Sequence, residues 1–219
     1  MIDLNEKTLD VVRLGRRKYD EVWEKQKELV NQRRFGTVSD TLILVEHDPV
    51  YTLGKNSNEN HLLQTRDRHV PVYHIERGGD VTFHGPGQLV GYPILDLHHH
   101  RLSVSWFMRT LEEILIQTLG QFGIESQRRE GLTGVWVREE KIAALGVRLS
   151  RWISMHGFAL NVNTDLKFFD GIIPCGIFEY DVTSMSQILG KEVSLVEVEE
   201  TLITVFRLLF SFQECEEAY

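Results

Sequence analysis

The sequence predicts an α/β chain: one domain of mixed α/β type. Three observations point there. Several short apolar segments are rich in β-branched residues and bounded by turn residues, as strands are. Three longer stretches carry apolar residues at helical spacing. The two kinds are interspersed without strict strand–helix alternation, which reads as one mixed α/β domain. With 219 residues, 42% hydrophobic, the chain is long enough for one sizeable core, so a single domain over 1–219 is expected.

The elements follow in order. Tyr19, Val22, Trp23, Leu29 and Val30 recur at helical spacing and predict an opening helix over about 13–34. Thr41 to Val45 reads as a buried strand and Val70 to Ile75 as a second. A loop-rich middle, with Arg77-Gly78-Gly79-Asp80 and His84-Gly85-Pro86-Gly87, precedes a strand over Leu89 to Leu97. Val104, Phe107, Met108, Leu111, Ile114, Leu115 and Leu119 form one helical face, with Gly123 as the stop signal. Strands are expected at 134–137, 141–149 and 156–162. Ser194-Leu195-Val196-Glu197 is a capping-box pattern that opens a last helix with Val198, Leu202, Val205, Phe206 and Leu209 inward.

Charge and cysteine usage narrow the function. There are 24 basic and 32 acidic side chains, a net charge of -8, which argues against a general nucleic-acid binder. Two cysteines, Cys175 and Cys215, exclude a disulfide framework and an all-cysteine metal site. Apolar runs are broken well short of the ~18 residues a membrane helix needs, and no secretory pattern is visible. A cytoplasmic protein without membrane attachment is the expectation.

Three segments have compositions that core packing does not explain. In Arg77-Gly78-Gly79-Asp80-Val81-Thr82-Phe83-His84-Gly85-Pro86-Gly87-Gln88 the glycines allow close approach of backbone to ligand, yet the run matches neither a P-loop nor a dinucleotide fingerprint. A pair of tight turns between strands would use the same residues. In Pro174-Cys175-Gly176 a thiol sits between a rigid and a flexible residue, where it is presented more readily than in a core strand. Cys215 lies among Glu214, Glu216 and Glu217, which disfavour a thiolate, so Cys175 is the candidate nucleophile. In Lys141-Ile142-Ala143-Ala144-Leu145-Gly146 a lysine opens a small apolar strand. It is either a solvated strand end or a cation that favours a thiolate. The histidines carry less. His98-His99-His100 point in different directions and make a poor metal site, and His47, His84 and His156 are isolated. No metal or other cofactor is expected.

Together these segments resemble the lipoyl(octanoyl) transferase family, also called lipoate–protein ligase B. The likeness runs from Glu46-His47-Asp48-Pro49 to Val182-Thr183-Ser184-Met185. It is most specific in the 77–88 run, in 141–148, in His156-Gly157-Phe158-Ala159-Leu160-Asn161 and in Ile173-Pro174-Cys175-Gly176. The resemblance implies the fold of biotin and lipoate protein ligases, a mixed sheet flanked by helices. It also implies transfer of an octanoyl group from octanoyl-acyl carrier protein to a lysine of lipoyl domains, those of 2-oxoacid dehydrogenase complexes and the glycine cleavage H protein. It makes Cys175 the acyl carrier and Lys141 the group that lowers its pKa. It places Arg77, Gly78, Gly79, Asp80, Val81, Thr82, Phe83 and His84, then Ala144, Leu145 and Gly146, then Gly157, Phe158 and Ala159, along the acyl pocket. Asp80 stands where many relatives carry glutamine.

Chemistry follows from that assignment. Thioester exchange is near balanced and needs no ATP, and the final amide pulls the cycle forward. Backbone N–H groups near Gly78, Gly79 and Gly146 are the expected oxyanion donors. The rivals are an ATP-dependent lipoate or biotin ligase of the same architecture, a cysteine hydrolase using His84 or His156, and a non-catalytic carrier-protein binder. Carrier docking would need a local basic face, for which Arg128, Arg129, Arg148, Arg151 and the run Arg13, Arg16, Arg17, Lys18 are candidates.

Overall fold

Strand β10 (Ile153–Asn161) is buried along its whole length and stands in the middle of the main sheet. The computed structural model describes residues 8–173 and 181–212. Around β10 lie β1 (Leu9–Arg17), β2 (Asp40–His47), β6 (Gln88–Ile94), β9 (Glu140–Ser150), β8 (Leu132–Val137) and β7 (Gln127–Arg129), in the order β1-β2-β6-β10-β9-β8-β7. The β1–β2 pair is parallel and the other neighbours antiparallel, which makes the sheet mixed as expected. A second sheet joins β4 (Val72–His74), β3 (Val50–Leu53) and β5 (Val81–His84).

Helices cover both faces of the main sheet. Helix α1 (Tyr19–Arg34) packs over β10, β6 and β2. On the other face α2 (Val104–Gln121) and α4 (Leu195–Phe210) enclose the largest core cluster, including Leu42, Leu89, Phe107, Leu111, Leu160 and Phe206. At about 1.5–3 kcal/mol for each fully buried large side chain, this face is the main stabilising layer. The start of α4 follows the Ser194 cap read from the sequence, and α2 has a serine cap of the same kind. Ser103 accepts from Trp106 N–H at 3.2 Å, and Ser194 from Glu197 N–H at 3.3 Å. Gly123 follows α2 with φ +74°, the left-handed stop. A short helix α3 (Met185–Leu189) was not foreseen.

Several expectations need correction. The opening helix begins at Tyr19, not Arg13, because 9–17 is the edge strand β1. Leu9, Val11 and Val12 pair with β2, while Arg13, Arg16 and Arg17 supply charges suited to an edge. Residues 81–84, read as loop, form β5, and 50–53 form β3, which the glycine-rich and Asp-Pro surroundings concealed. The strand expected through Leu97 ends at Ile94, and Leu97–His99 is a 3-10 turn. The histidine run there is divided between carboxylates. His98 bonds to Asp96 at 2.6 Å and His100 to the buried Asp40 at 2.7 Å.

Candidate active site

The 141–149 and 156–162 segments become the hairpin of β9 and β10, closed by Arg151 and Trp152 at φ 51° and 64°. Two consecutive positive φ values are what a two-residue turn joining twisted strands requires. Register places Ala144 opposite Ala159 and Gly146 opposite Gly157. Small residues at these four positions leave a trough on the sheet. The Arg77–Asp80 loop covers it, with Gly79 at φ +89°. Gly146 lies directly beneath: a Cβ there would stand 2.8 Å from the Gly78 carbonyl oxygen and 3.2 Å from Arg77 Cδ.

Between loop and sheet lies a cavity of about 580 Å³. Arg77, Gly78, Gly79, Asp80, Val81, Thr82 and His84 line it from the covering loop and β5. Ala144, Leu145 and Gly146 line it from β9, and Gly157, Phe158 and Ala159 from β10. Phe83 does not. Its side chain packs in the second sheet's cluster, stacked on Phe168 with ring centroids 4.5 Å apart. Arg77 is locked by Thr52, donating to its carbonyl at 2.8 Å and to its hydroxyl at 3.0 Å. Gly78 N–H donates to the Val147 carbonyl at 3.0 Å, which removes it from the expected oxyanion donors.

One side of the cavity carries buried polar groups. His84 Nδ1 meets Gln88 Oε1 at 2.8 Å, and Gln88 Nε2 donates to Asn161 Oδ1 at 2.9 Å. Asn161 Nδ2 donates to the Thr183 carbonyl at 3.0 Å. His47 Nε2 meets the Tyr92 hydroxyl at 2.8 Å, and Tyr19 stacks on His84. Burial, reinforced by His47, Arg77 and His156, pushes His84 down to about 3 against the pull of the Gln88 hydrogen bond. Burial likewise takes His47 to about 4 and raises Tyr19 and Tyr92. These groups are neutral at pH 7. Sequence reasoning passed over Tyr19, Gln88, Tyr92 and Asn161 as site residues. Tyr19 looked like helix core, though Gln88 and Asn161 end the two motifs that line the trough.

Lys141 also lines the cavity and is 9% exposed. Its ammonium lies 4.8 Å from the Trp136 ring centroid. Its stem passes over Gly134, where a Cβ would come within 3.2 Å of Cε. The backbone is clamped: Lys141 N–H donates to the Asp181 carbonyl at 2.9 Å, and Thr183 N–H to the Lys141 carbonyl at 3.0 Å. Cys175 and Cys215 fall outside the described residues. On the near side of Cys175, Ile173 N–H donates to the His61 carbonyl at 2.8 Å. Among the described residues no group of three His, Cys, Asp or Glu side chains is placed to hold a metal ion. No described helix is long and apolar enough to cross a membrane.

Comparison with known proteins identifies the family. Residues 18–207 match the family model of the lipoyl protein ligase A/B catalytic domain. The chain belongs to that family. Within it, an octanoyltransferase of Rubrobacter xylanophilus is 49% identical over 91% of this chain and 92% of its own length. One of Solibacter usitatus is 50% identical over 91% and 92% respectively. Solved structures share the family fold at low identity. A lipoate-protein ligase A bound with ATP superposes with TM-score 0.72 at 15% identity, over 95% of this chain and 88% of that one. The biotin protein ligase of Aquifex aeolicus gives 0.54 at 15% identity, over 94% and 69%.

Proposed function

We propose that this chain, acting as one catalytic domain over 1–219, transfers an octanoyl group from octanoyl-acyl carrier protein to a specific lysine of lipoyl domains. Those of 2-oxoacid dehydrogenase complexes and the glycine cleavage H protein are the acceptors. The reaction runs in the cytoplasm with no cofactor, membrane or nucleic acid. The carrying observation is close similarity to octanoyltransferases along more than nine-tenths of the chain. The narrow trough of Ala144, Gly146, Gly157 and Ala159 supports it, since small residues leave room for an acyl chain. At ~0.8 kcal/mol per buried methylene, such a chain gains several kcal/mol there.

The chemistry takes two balanced steps. The Cys175 thiolate attacks the octanoyl carbonyl carbon, and the carrier's thiolate leaves with the bond it loses. The acceptor lysine, as free amine, attacks the new thioester and releases the Cys175 thiolate. Its proton passes to Lys141 or water. While protonated, Lys141 stabilises the thiolate as an adjacent cation. Once its ammonium has lost a proton to solvent, Lys141 can take the acceptor's proton as a neutral amine and is again a cation beside the released Cys175 thiolate. Its clamped backbone supports this role, because Asp181 follows Cys175 by only six positions. Arg77–His84, 144–146 and 157–159 hold the acyl chain, with Phe83 acting from behind by packing β5.

Intact-mass measurement after mixing with octanoyl-acyl carrier protein tests the reading. One hydroxylamine-labile octanoyl adduct is expected, retained in Cys215→Ser and absent in Cys175→Ala. A full adduct in Cys175→Ala overturns the mechanism. The fold shared with an ATP-bound ligase keeps ATP-dependent ligation as a second reading. Transfer that starts only when ATP and free octanoate are supplied would establish it instead.

A further inference from the structure

His156 lines the cavity, is 1% exposed, and has no hydrogen-bond partner at either ring nitrogen. The Glu76 carboxylate is 3.9 Å from Nε2, too far for a hydrogen bond, and is engaged by Arg148 at 2.8 Å. The residue is also strained. It takes φ 60° inside β10, with its backbone N–H turned to Gln26 Oε1 at 2.9 Å. A left-handed non-glycine residue and an unsatisfied buried polar group each cost about 1–3 kcal/mol. A side chain held at that expense in a cavity wall implies a ligand group that satisfies it. Burial, then Arg77, Arg148 and Lys27, hold its pKa down at about 3. The ring is therefore neutral, with one donor and one acceptor nitrogen.

Its position along the trough is informative. Register sets His156 opposite Val147, the sixth residue after Lys141 on the same strand. At ~3.4 Å per residue that is roughly 20 Å from the Lys141 backbone. An extended eight-carbon chain spans roughly 9 Å, given C–C bonds of ~1.5 Å. The Lys141 side chain and the thioester occupy much of the remainder. The distal end of a bound acyl chain therefore approaches His156, not the reacting centre.

We propose that His156 reads the distal end of the acyl chain, and that the cavity accepts medium-length acyl thioesters bearing a hydrogen-bonding group there as well as plain octanoyl. This rests on the acyl-transfer reading above. A terminal hydroxyl pairs with a ring nitrogen that an alkyl end leaves unsatisfied. A longer alkyl chain instead presses methylenes against a desolvated imidazole, so the same residue limits chain length.

The test compares kcat/KM for octanoyl-, 8-hydroxyoctanoyl- and dodecanoyl-acyl carrier protein, read as mass gained by a lipoyl domain. His156→Gly removes the ring and suits the positive φ, and His156→Asn keeps an amide in a residue tolerant of that backbone. The parent should use the hydroxylated donor within about tenfold of octanoyl. In His156→Gly that ratio should fall by about tenfold or more while the dodecanoyl ratio rises, with His156→Asn in between. A hydroxyl ratio unchanged in His156→Gly, or a parent that disfavours the hydroxylated donor by more than about tenfold, overturns the inference. Failure of the parent to transfer plain octanoyl would instead sink the acyl-transfer reading on which it rests.

Discussion

Asp80 holds His61 through a carboxylate–imidazole bond, and so ties the loop over the cavity to the residue whose carbonyl anchors Ile173. The same carboxylate accepts from Val81 N–H at 2.8 Å and Asn58 N–H at 3.3 Å. Asp80 therefore joins the covering loop to the 58–61 segment. Asp80→Ala should lower the urea midpoint by the equivalent of about 1–3 kcal/mol with an unchanged m-value. It should also slow Cys175 acylation. Asp80→Asn, which keeps a neutral acceptor, should lose less. Equal stability of parent and Asp80→Ala would show that the contact carries no load.

The buried imidazoles make stability fall in mild acid. His47, His84 and His156 have folded values of about 4, 3 and 3, against an ordinary 6.5. The unfolded chain therefore binds more protons below pH 6.5, and stability is full above that value. It is lost as pH falls toward 4, each imidazole contributing up to about 1.4 kcal/mol per pH unit. Urea midpoints measured from pH 7.5 to 4.5 should drop steeply below 6.5, and less steeply in His156→Gly. A flat profile over that window would mean these rings are solvated.

How far this was legible depends on the kind of signal. The hairpin of β9 and β10 and the two large helices were visible because apolar periodicity and caps are local properties. Strand β1 was not. Its Val11 and Val12 register only through parallel pairing with β2, and the arginines after them fit a helix equally well. The trough was legible as motifs: Gly146, Gly157 and the 77–80 loop meet in the structure. Phe83 was misplaced because a linear motif does not reveal that β5 alternates, with Phe83 turned toward Phe168. The polar cluster around Tyr19 and Tyr92 was invisible, since it joins α1 to β6 across the sheet.

Gly146 offers a direct test of the trough. Its Cβ in Gly146→Ala meets the Gly78 oxygen at 2.8 Å, so the covering loop must lift. The loop is rigid at Arg77, which Thr52 grips twice. Acyl transfer should fall by about tenfold, chiefly through KM for the acyl donor, because the lining moves while the reacting end does not. Unchanged kinetics would place the acyl chain elsewhere.

Arg128 was a candidate for carrier docking, and the structure assigns it internal work. It donates to the buried Glu112 at 3.2 Å, to Glu113 at 2.6 Å and to the Arg109 carbonyl at 2.9 Å. Arg128→Glu sets a like charge against Glu112, which is 2% exposed and also accepts from Gly134 N–H. Stability should fall by about 3–5 kcal/mol. Any loss of carrier affinity must then be compared with Arg151→Glu, in an exposed turn, where folding should be unchanged. A stable Arg128→Glu with raised KM for the carrier would restore Arg128 to the interface.

Lys141 is the last test, because its stem and its charge can be separated. The stem packs over Gly134 and the ammonium faces Trp136, so alanine would remove packing as well as charge. Lys141→Met keeps most of the volume. A free thiol titrates near ~8.5, leaving a few per cent thiolate at neutral pH, and an adjacent cation raises that fraction. In Lys141→Met the pH midpoint of Cys175 alkylation should rise by about one unit, equivalent to about 1.4 kcal/mol, and acylation at pH 7 should slow by about tenfold. Lys141→Arg should keep the low midpoint, because the charge remains. It should still be slow in the second step, because a guanidinium does not release a proton at these pH values. Burst kinetics separate the steps: a normal acylation burst followed by slow turnover is expected in Lys141→Arg. If Lys141→Met and the parent alkylate with the same midpoint, the lysine is a packing residue and another group must activate the thiol.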